Sequence, residues 1–198
     1  MRNRDRKVFG VGINDAAYET QKFIKVDGRS KLSWSCKLYK KWSGMMERCY
    51  GKSYQSKNPS YIGCTVCDDW IYFSKFKEWA DNFQWEGLQL DKDILGGGEK
   101  IYCPENCAFI LGKTNRFIIT GRTLENGLMI GVNSYVTKGK YSAKCGNPFT
   151  GNQENLGIFN SELEAHLAWK KRKYELSLIL ADMEIDPRVK TALPAMYK

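Results

Sequence analysis

Histidine is nearly absent from this chain, with one residue, His166, in 198. That scarcity works against Ser–His–Asp and Cys–His nucleophilic arrangements, which need an imidazole beside the nucleophile. His166 stands inside a predicted helix, far in sequence from the acidic residues, and reads as a helix-face residue. Long apolar runs are missing too. None approaches the roughly 20 residues that cross a bilayer, and the basic start Met1–Lys7 has no apolar stretch behind it. No membrane span and no signal peptide are expected, so the chain should sit in the cytoplasm. Repeats and low-complexity tracts are absent. The seven cysteines are odd in number, so complete pairing into disulfides is impossible. In a reducing compartment they serve as thiols, metal ligands or core filler. The three glycines at 96–98 lack the following Lys-Ser/Thr and opening helix of a phosphate-binding loop, and read as a turn.

What the chain has in excess is positive charge, +9 with a pI near 9.1. Residues 1–120 carry +6 and residues 121–198 carry +3, so the excess is spread along the chain. Such a balance favours polyanions, nucleic acid first. Six Trp and 11 Tyr give material for a packed core in one or two small domains.

The apolar spacing of Trp34, Leu38, Trp42, Met45 and Cys49 predicts a helix over 34–50. Before it, 1–33 reads as a polar, irregular, basic N-terminal arm led by Arg2, Arg4, Arg6 and Lys7, either on a phosphate backbone or frayed in solvent. A Gly-, Ser-, Asn- and Tyr-rich loop fills 51–63. A second helix is predicted over about 68–82, capped by Asp68 or Asp69, with Trp70, Phe73, Phe76 and Ala80 along a core-facing stripe. A strand carrying Asp91, Lys92 and Asp93 follows, then the glycine turn, a second apolar run at 108–111, and a segment with Asn115. Residues 119–126 read as a linker. From 127 the pattern turns to β, with strands at 128–132, 140–145 and 155–159 separated by Gly- and Asn-containing turns. Ser161-x-x-Glu164 forms a capping box. It opens a helix to about Asp182, with Leu163, Leu167, Tyr174 and Leu178 at helical spacing and Lys170–Lys173 on a solvated face. The fold class is α+β.

Two constellations carry chemistry. Cys64-x-x-Cys67 with Cys103-x-x-x-Cys107 has spacing compatible with a four-thiolate structural Zn²⁺ site, or the four are buried structural thiols. Asp91, Lys92, Asp93, Asn106 and Asn115 gather polar groups within one short unit. Their carboxylate and amide oxygens are hard ligands suited to Mg²⁺ or Mn²⁺.

The order of motifs adds to this reading. Trp42-x-x-Met45-x-x-Arg48-Cys49 is followed by Cys67-x-x-Trp70-x-x-Phe73-x-x-Phe76 and Leu90-Asp91-Lys92-Asp93. Then come Tyr102-x-Pro104-Glu105-Asn106-Cys107 and Asn115. Over about 80 residues this resembles the HNH-type endonuclease unit, the ββα-metal fold, of phage-encoded homing-like nucleases. The resemblance implies metal-dependent cleavage or nicking of DNA in a bacterial host. It makes Asp91 a metal ligand, Asn106 the brace of the loop between two strands, and Asn115 the last ligand, on a helix. Lys92 falls where the family's general base is a histidine. An ordinary lysine is protonated at neutral pH and takes no proton from water. Asp93 or a metal-bound water is the substitute.

The second half resembles the APETALA2/ethylene-response-factor DNA-binding domain over about 50 residues. It does so through Ile130-Gly131-Val132, Tyr141-x-Ala143, Leu156-Gly157-x-Phe159, Glu164-Ala165 and Ala168-Trp169. That resemblance implies three antiparallel strands against one helix, with the sheet in the major groove of double-stranded DNA. The candidate contacts are Asn133, Tyr135, Lys138, Lys140 and Lys144. Together these readings give an HNH-like module over 34–120 and a DNA-binding domain over 126–198. The rival readings are a DNA-binding protein that does not cut, acting in phage regulation or phage–host conflict, and a module whose basic surface engages an acidic protein partner.

Overall fold

Trp42 donates its indole N–H to the carbonyl of Trp70 at 2.7 Å, joining two helical segments that the aromatic spacing had placed on one core. This and the following description come from a computed structural model that describes residues 7–118 and 127–198. The expected linker at 119–126 and the Arg2, Arg4 and Arg6 cluster lie outside the described residues. Contacts between Cα atoms divide the chain into two units, Met1–Phe109 and Ile110–Lys198. The first boundary therefore falls earlier in sequence than the expected linker. Among the described residues, no helix is long and apolar enough to cross a membrane.

In the first unit, β1 (Gln21–Val26) and β2 (Arg29–Ser35) form an antiparallel hairpin. α1 (Lys37–Tyr50) follows, burying Leu38, Tyr39, Trp42, Met45, Met46 and Cys49 at the predicted spacing. The helix begins at 37 rather than 34, because Cys36 donates its N–H to the Thr20 carbonyl and keeps the preceding residues in the hairpin. Trp34 is thereby a strand residue, 47% exposed, and not part of the core stripe. The expected loop at 51–63 contains a short helix, α2 (Lys52–Lys57), and a 3₁₀ turn, Pro59–Tyr61. β3 (Thr65–Val66) comes next.

The predicted 68–82 helix is divided into a 3₁₀ turn, Asp69–Ile71, and α3 (Phe73–Ala80). The cause is local. Ile13 donates to the Ile71 carbonyl at 2.8 Å and accepts from Phe73 N–H at 3.0 Å, holding Tyr72 extended between them. Asp68 makes no side-chain cap. The described part of 1–33 is therefore not an irregular arm: residues 8–13 fold onto the core, and a Cβ at Gly12 would meet Trp42 and Met46 at under 3 Å. Trp70, Phe73 and Phe76 are buried to 1% exposure or less, and the Trp79 ring packs, tilted, 4.5 Å from that of Trp70 and 5.1 Å from that of Phe109. The aromatic stripe is core. Each such side chain contributes about 1.5–3 kcal/mol by leaving water.

β4 (Gln89–Asp91) leads into a single helical turn, α4 (Asp93–Gly96). Gly97 and Gly98 follow with φ of 58° and 100°, the turn expected of the glycines. β5 (Ile101–Tyr102) pairs in parallel with β3, and β6 (Ala108–Ile110) pairs with β4. The predicted strand carrying Asp91, Lys92 and Asp93 thus stops at Asp91.

In the second unit, α5 (Gly112–Phe117) precedes a three-stranded antiparallel sheet of β7 (Val132–Ser134), β8 (Tyr141–Gly146) and β9 (Gln153–Phe159) in that order. α6 (Glu162–Met183) lies against all three strands, and α7 (Pro187–Ala195) packs on α6. The α+β class, with one antiparallel sheet on one helix, is the observed architecture here. The capping box is formed: Ser161 Oγ accepts from Glu164 N–H, and Glu164 accepts from Ser161 N–H.

Two expectations for this unit change. β7 starts at Val132 because Gly131, at φ +84°, turns the chain beneath the Trp169 ring. The buried face of α6 is Ala165, Trp169, Lys173, Leu176 and Leu180, whereas Leu163, Leu167 and Leu178 are exposed. The predicted stripe has the right period and the wrong phase. Trp169 over a side-chain-free glycine sets the phase instead.

A Cβ at Gly131 would lie 2.1 Å from Trp169 Cγ in a backbone conformation that L residues rarely adopt. Gly131→Ala is expected to cost about 3 kcal/mol, seen as a lower urea midpoint for the transition reported by Trp169.

Candidate functional site

Asp91 ends β4 with its carboxylate turned inward, 7% exposed. Its Oδ1 accepts from Asp93 N–H and from Ile94 N–H, each at 3.0 Å, and so starts α4. Burial raises its pKa, partly offset by those two N–H donors. Lys92 is also buried, 6% exposed, and its Nζ donates to Asp93 Oδ1 at 2.6 Å and reaches the Glu99 carbonyl at 3.5 Å. Burial works against the ammonium, but the hydrogen bond and charge of Asp93 outweigh it, and the lysine pKa is raised. Lys92 is therefore a protonated cation across the neutral range. It can donate a proton to an oxygen but cannot accept one from water.

The ring of Tyr102 lies 5.8 Å from Lys92 Nζ and 5.4 Å from the Arg48 guanidinium. Arg48 Nε donates to the Tyr102 hydroxyl at 3.0 Å. Burial lifts that phenol's pKa far above its ordinary value despite Arg48. Asn106 donates through Nδ2 to Glu99 Oε2 at 2.8 Å. Glu99 is the residue that sequence reading passed over. It receives both Asn106 and Lys92, and only its place two residues before a strand marked it out.

Asp91 Oδ1 is taken by backbone, Asp93 by Lys92, and Glu99 by Asn106. Asn115 is exposed on α5, in the second unit. Among the described residues, no group of three or more His, Cys, Asp or Glu is placed to hold a metal ion. Cys64 and Cys107 are buried, while Cys67 and Cys103 are half-buried. Burial raises the thiol pKa of Cys67, Cys103 and Cys107, Cys107 most.

The second unit builds a different surface. α6 covers one face of the sheet, burying Val132, Ala143 and Cys145. The register puts Asn133, Ser142 and Ile158 in one cross-strand row on the other face, with the central Ser142 only 8% exposed between its neighbours. Lys144 opposite Asn155 and Gly146 opposite Gln153 extend it. Asn133, Tyr135, Lys138, Lys140, Lys144 and Ile158 are all exposed, Ile158 by 51%. All five predicted contacts thus belong to one sheet and its connecting turn. Ile158, the apolar member of the row, was missed because a strand isoleucine reads as core.

The basic run on α6 divides. Arg172 is taken by Glu154 at 2.7 Å and Glu175 at 2.8 Å, and this pairing, with Asn147, holds the Glu154 carboxyl down at about 2. Lys173, expected on the solvated face, is 3% exposed. Its Nζ donates to the Phe117 carbonyl and sits 3.2 Å from the Phe117 ring centroid and 4.9 Å from that of Tyr197. Burial lowers its pKa to about 8. It lines a cavity of about 270 Å³ with Lys113, Arg116, Asn147 and Trp169. His166 contacts the Ile130 carbonyl through Nδ1 at 2.9 Å and stacks on Trp169, a structural position.

No family model, curated protein or solved structure matches this chain.

Two titration outcomes follow from these charges. The Lys92–Asp93 pair stabilises the fold below the ordinary lysine pKa of about 10.4, and that contribution is lost as pH rises through the raised folded value. Lys92→Met should lower stability by about 1 kcal/mol at pH 7, with the gap to wild type narrowing under strong alkali in urea titrations. Lys173 has the opposite sign. Its proton is disfavoured in the fold, so stability should rise from about pH 8 toward the unfolded lysine value, and Lys173→Met should abolish that slope.

Proposed function

We propose that this chain is a double-stranded-DNA-binding protein built on a frame resembling phage HNH endonucleases, and that its Asp91–Asn106 centre holds the structure without cutting. The outward row of β7–β9 carries the binding half of this reading. An exposed sheet face with Asn133 and Lys144, bordered by Tyr135, Lys138 and Lys140, offers hydrogen-bonding groups for base edges and cations for phosphates. The net charge of +9 supplies the general attraction. Lys92 supports the other half, because an ion-paired ammonium occupies the position where hydrolysis needs a proton acceptor. The strand–turn–strand–helix order from β4 through β6 to α5 is compatible with the ββα resemblance.

A second reading is metal-dependent nicking. One observation favours it: both backbone donors to Asp91 fall on Oδ1, which leaves Oδ2 of a buried carboxylate for a ligand.

Supercoiled plasmid incubated with the purified protein and Mg²⁺ or Mn²⁺ separates the two. The expected result is retardation with steep salt dependence and no nicking. Nicking that disappears in Asp91→Ala and Asn115→Ala would establish the second reading. Lys140→Glu with Lys144→Glu should weaken binding about tenfold or more and flatten the salt slope by about one per lysine. If wild type leaves DNA unretarded at low salt, an acidic protein partner becomes the surviving reading.

A further inference from the structure

Every residue from Lys22 to Trp34 is exposed, the whole β1–β2 hairpin beyond its root. Phe23, Ile24, Val26, Leu32 and Trp34 are each at least 40% exposed. Five large apolar side chains on a ribbon of this size are more than a solvated hairpin explains, and a lone two-stranded hairpin is marginal in water. The root is fixed. Thr20 is 1% exposed, accepts from Asn14 Nδ2 at 2.7 Å, and receives the Cys36 N–H at 2.8 Å. The tip is defined as well, since Asp27 and Gly28 both take positive φ, 49° and 73°. This is the two-residue turn whose twist matches paired strands.

The register says what the ribbon is suited to hold. On one face Lys22 stands opposite Trp34, Ile24 opposite Lys31, and Val26 opposite Arg29. Each cross-strand row pairs one cation with one apolar side chain, and Lys22 Nζ lies 5.9 Å over the Trp34 ring. Lys25 adds a fourth cation on the other face, beside the Phe23–Leu32 pair. Asp27, in the turn, is the single acid of the hairpin. Six residues per strand span about 20 Å, and a two-stranded ribbon fits the roughly 12 Å major groove. Stacking two such ribbons from separate copies would set cations against cations. A polyanion with apolar groups between its charges complements the pattern, and duplex DNA, with base edges and thymine methyls lying between phosphate rows, has that character.

We infer that the β1–β2 hairpin is a second DNA contact, a basic ribbon that enters the major groove with its cations on phosphates and its apolar side chains on base edges. This rests on the DNA-binding reading above.

The test uses the full chain and a fluorescent duplex, with anisotropy measured over a salt series. The triple variant Lys25→Gln/Arg29→Gln/Lys31→Gln should lose about tenfold or more in affinity and two to three in salt slope. Trp34→Ala should weaken binding and leave the slope intact. All these positions lie outside the core, and thermal unfolding checks that the variants fold. If the triple variant binds as wild type does while Lys140→Glu/Lys144→Glu still weakens binding, the ribbon assignment fails and the sheet reading stands. If wild type itself does not bind, both fail. A dimer that dissociates on Phe23→Ser/Trp34→Ser with DNA affinity unchanged would overturn the ribbon assignment in favour of a second copy as its occupant.

Discussion

A lysine withdrawn from water keeps its proton most firmly beside a counter-charge, and in the first unit Asp93 supplies one to Lys92. Much of the candidate centre follows from that pair. Asp93 cannot serve Lys92 unless the chain turns sharply after β4, and Asp91 holds that turn by accepting two backbone N–H groups. The turn brings the Glu99 carbonyl toward the same ammonium and its carboxylate to Asn106. Tyr102 presents its ring to Lys92 and its hydroxyl to Arg48. The result is a self-neutralising network whose polar groups mostly answer each other.

The fold was legible wherever period and phase came from one stretch of chain. α1 buries the residues its spacing indicated, and the capping box of α6 forms as written, because both depend on neighbours within a turn or two. Legibility failed where a distant segment intervened. Ile13 breaks the second helix at Tyr72 by taking hydrogen bonds on either side of it. Gly131 admits Trp169 and rotates α6, so a stripe of leucines of correct period faces outward. The hairpin at 21–35 did carry a local signal, Asp27-Gly28 between alternating side chains, which the basic composition of the N-terminal residues obscured.

Of the candidate site, spacing made legible where residues lie but not what their side chains meet: the five sheet residues are exposed on one sheet and its turn, and Asn106 donates to Glu99. The protonation of Lys92 depends on a side-chain bond to its own neighbour, and no pattern reveals rotamers. Nor does spacing reveal that Arg172 is consumed by Glu154 while Lys173, the next residue, is buried among rings. A run of four cations looks uniform in one dimension, but a helix distributes it around its axis.

The hairpin has one further consequence, for solubility. A two-stranded ribbon has no interior strand, so each of its strands presents an unpaired backbone edge as well as apolar side chains. Such edges invite a further strand from another molecule. The cations on both strands, Lys22 and Lys25 on one and Arg29 and Lys31 on the other, place like charges wherever a second ribbon would dock in register. The residues suited to phosphates would also act as gatekeepers that keep free molecules apart. If DNA occupies the ribbon as proposed, its phosphates would neutralise those charges and lower the barrier to edge-to-edge pairing between copies on one duplex.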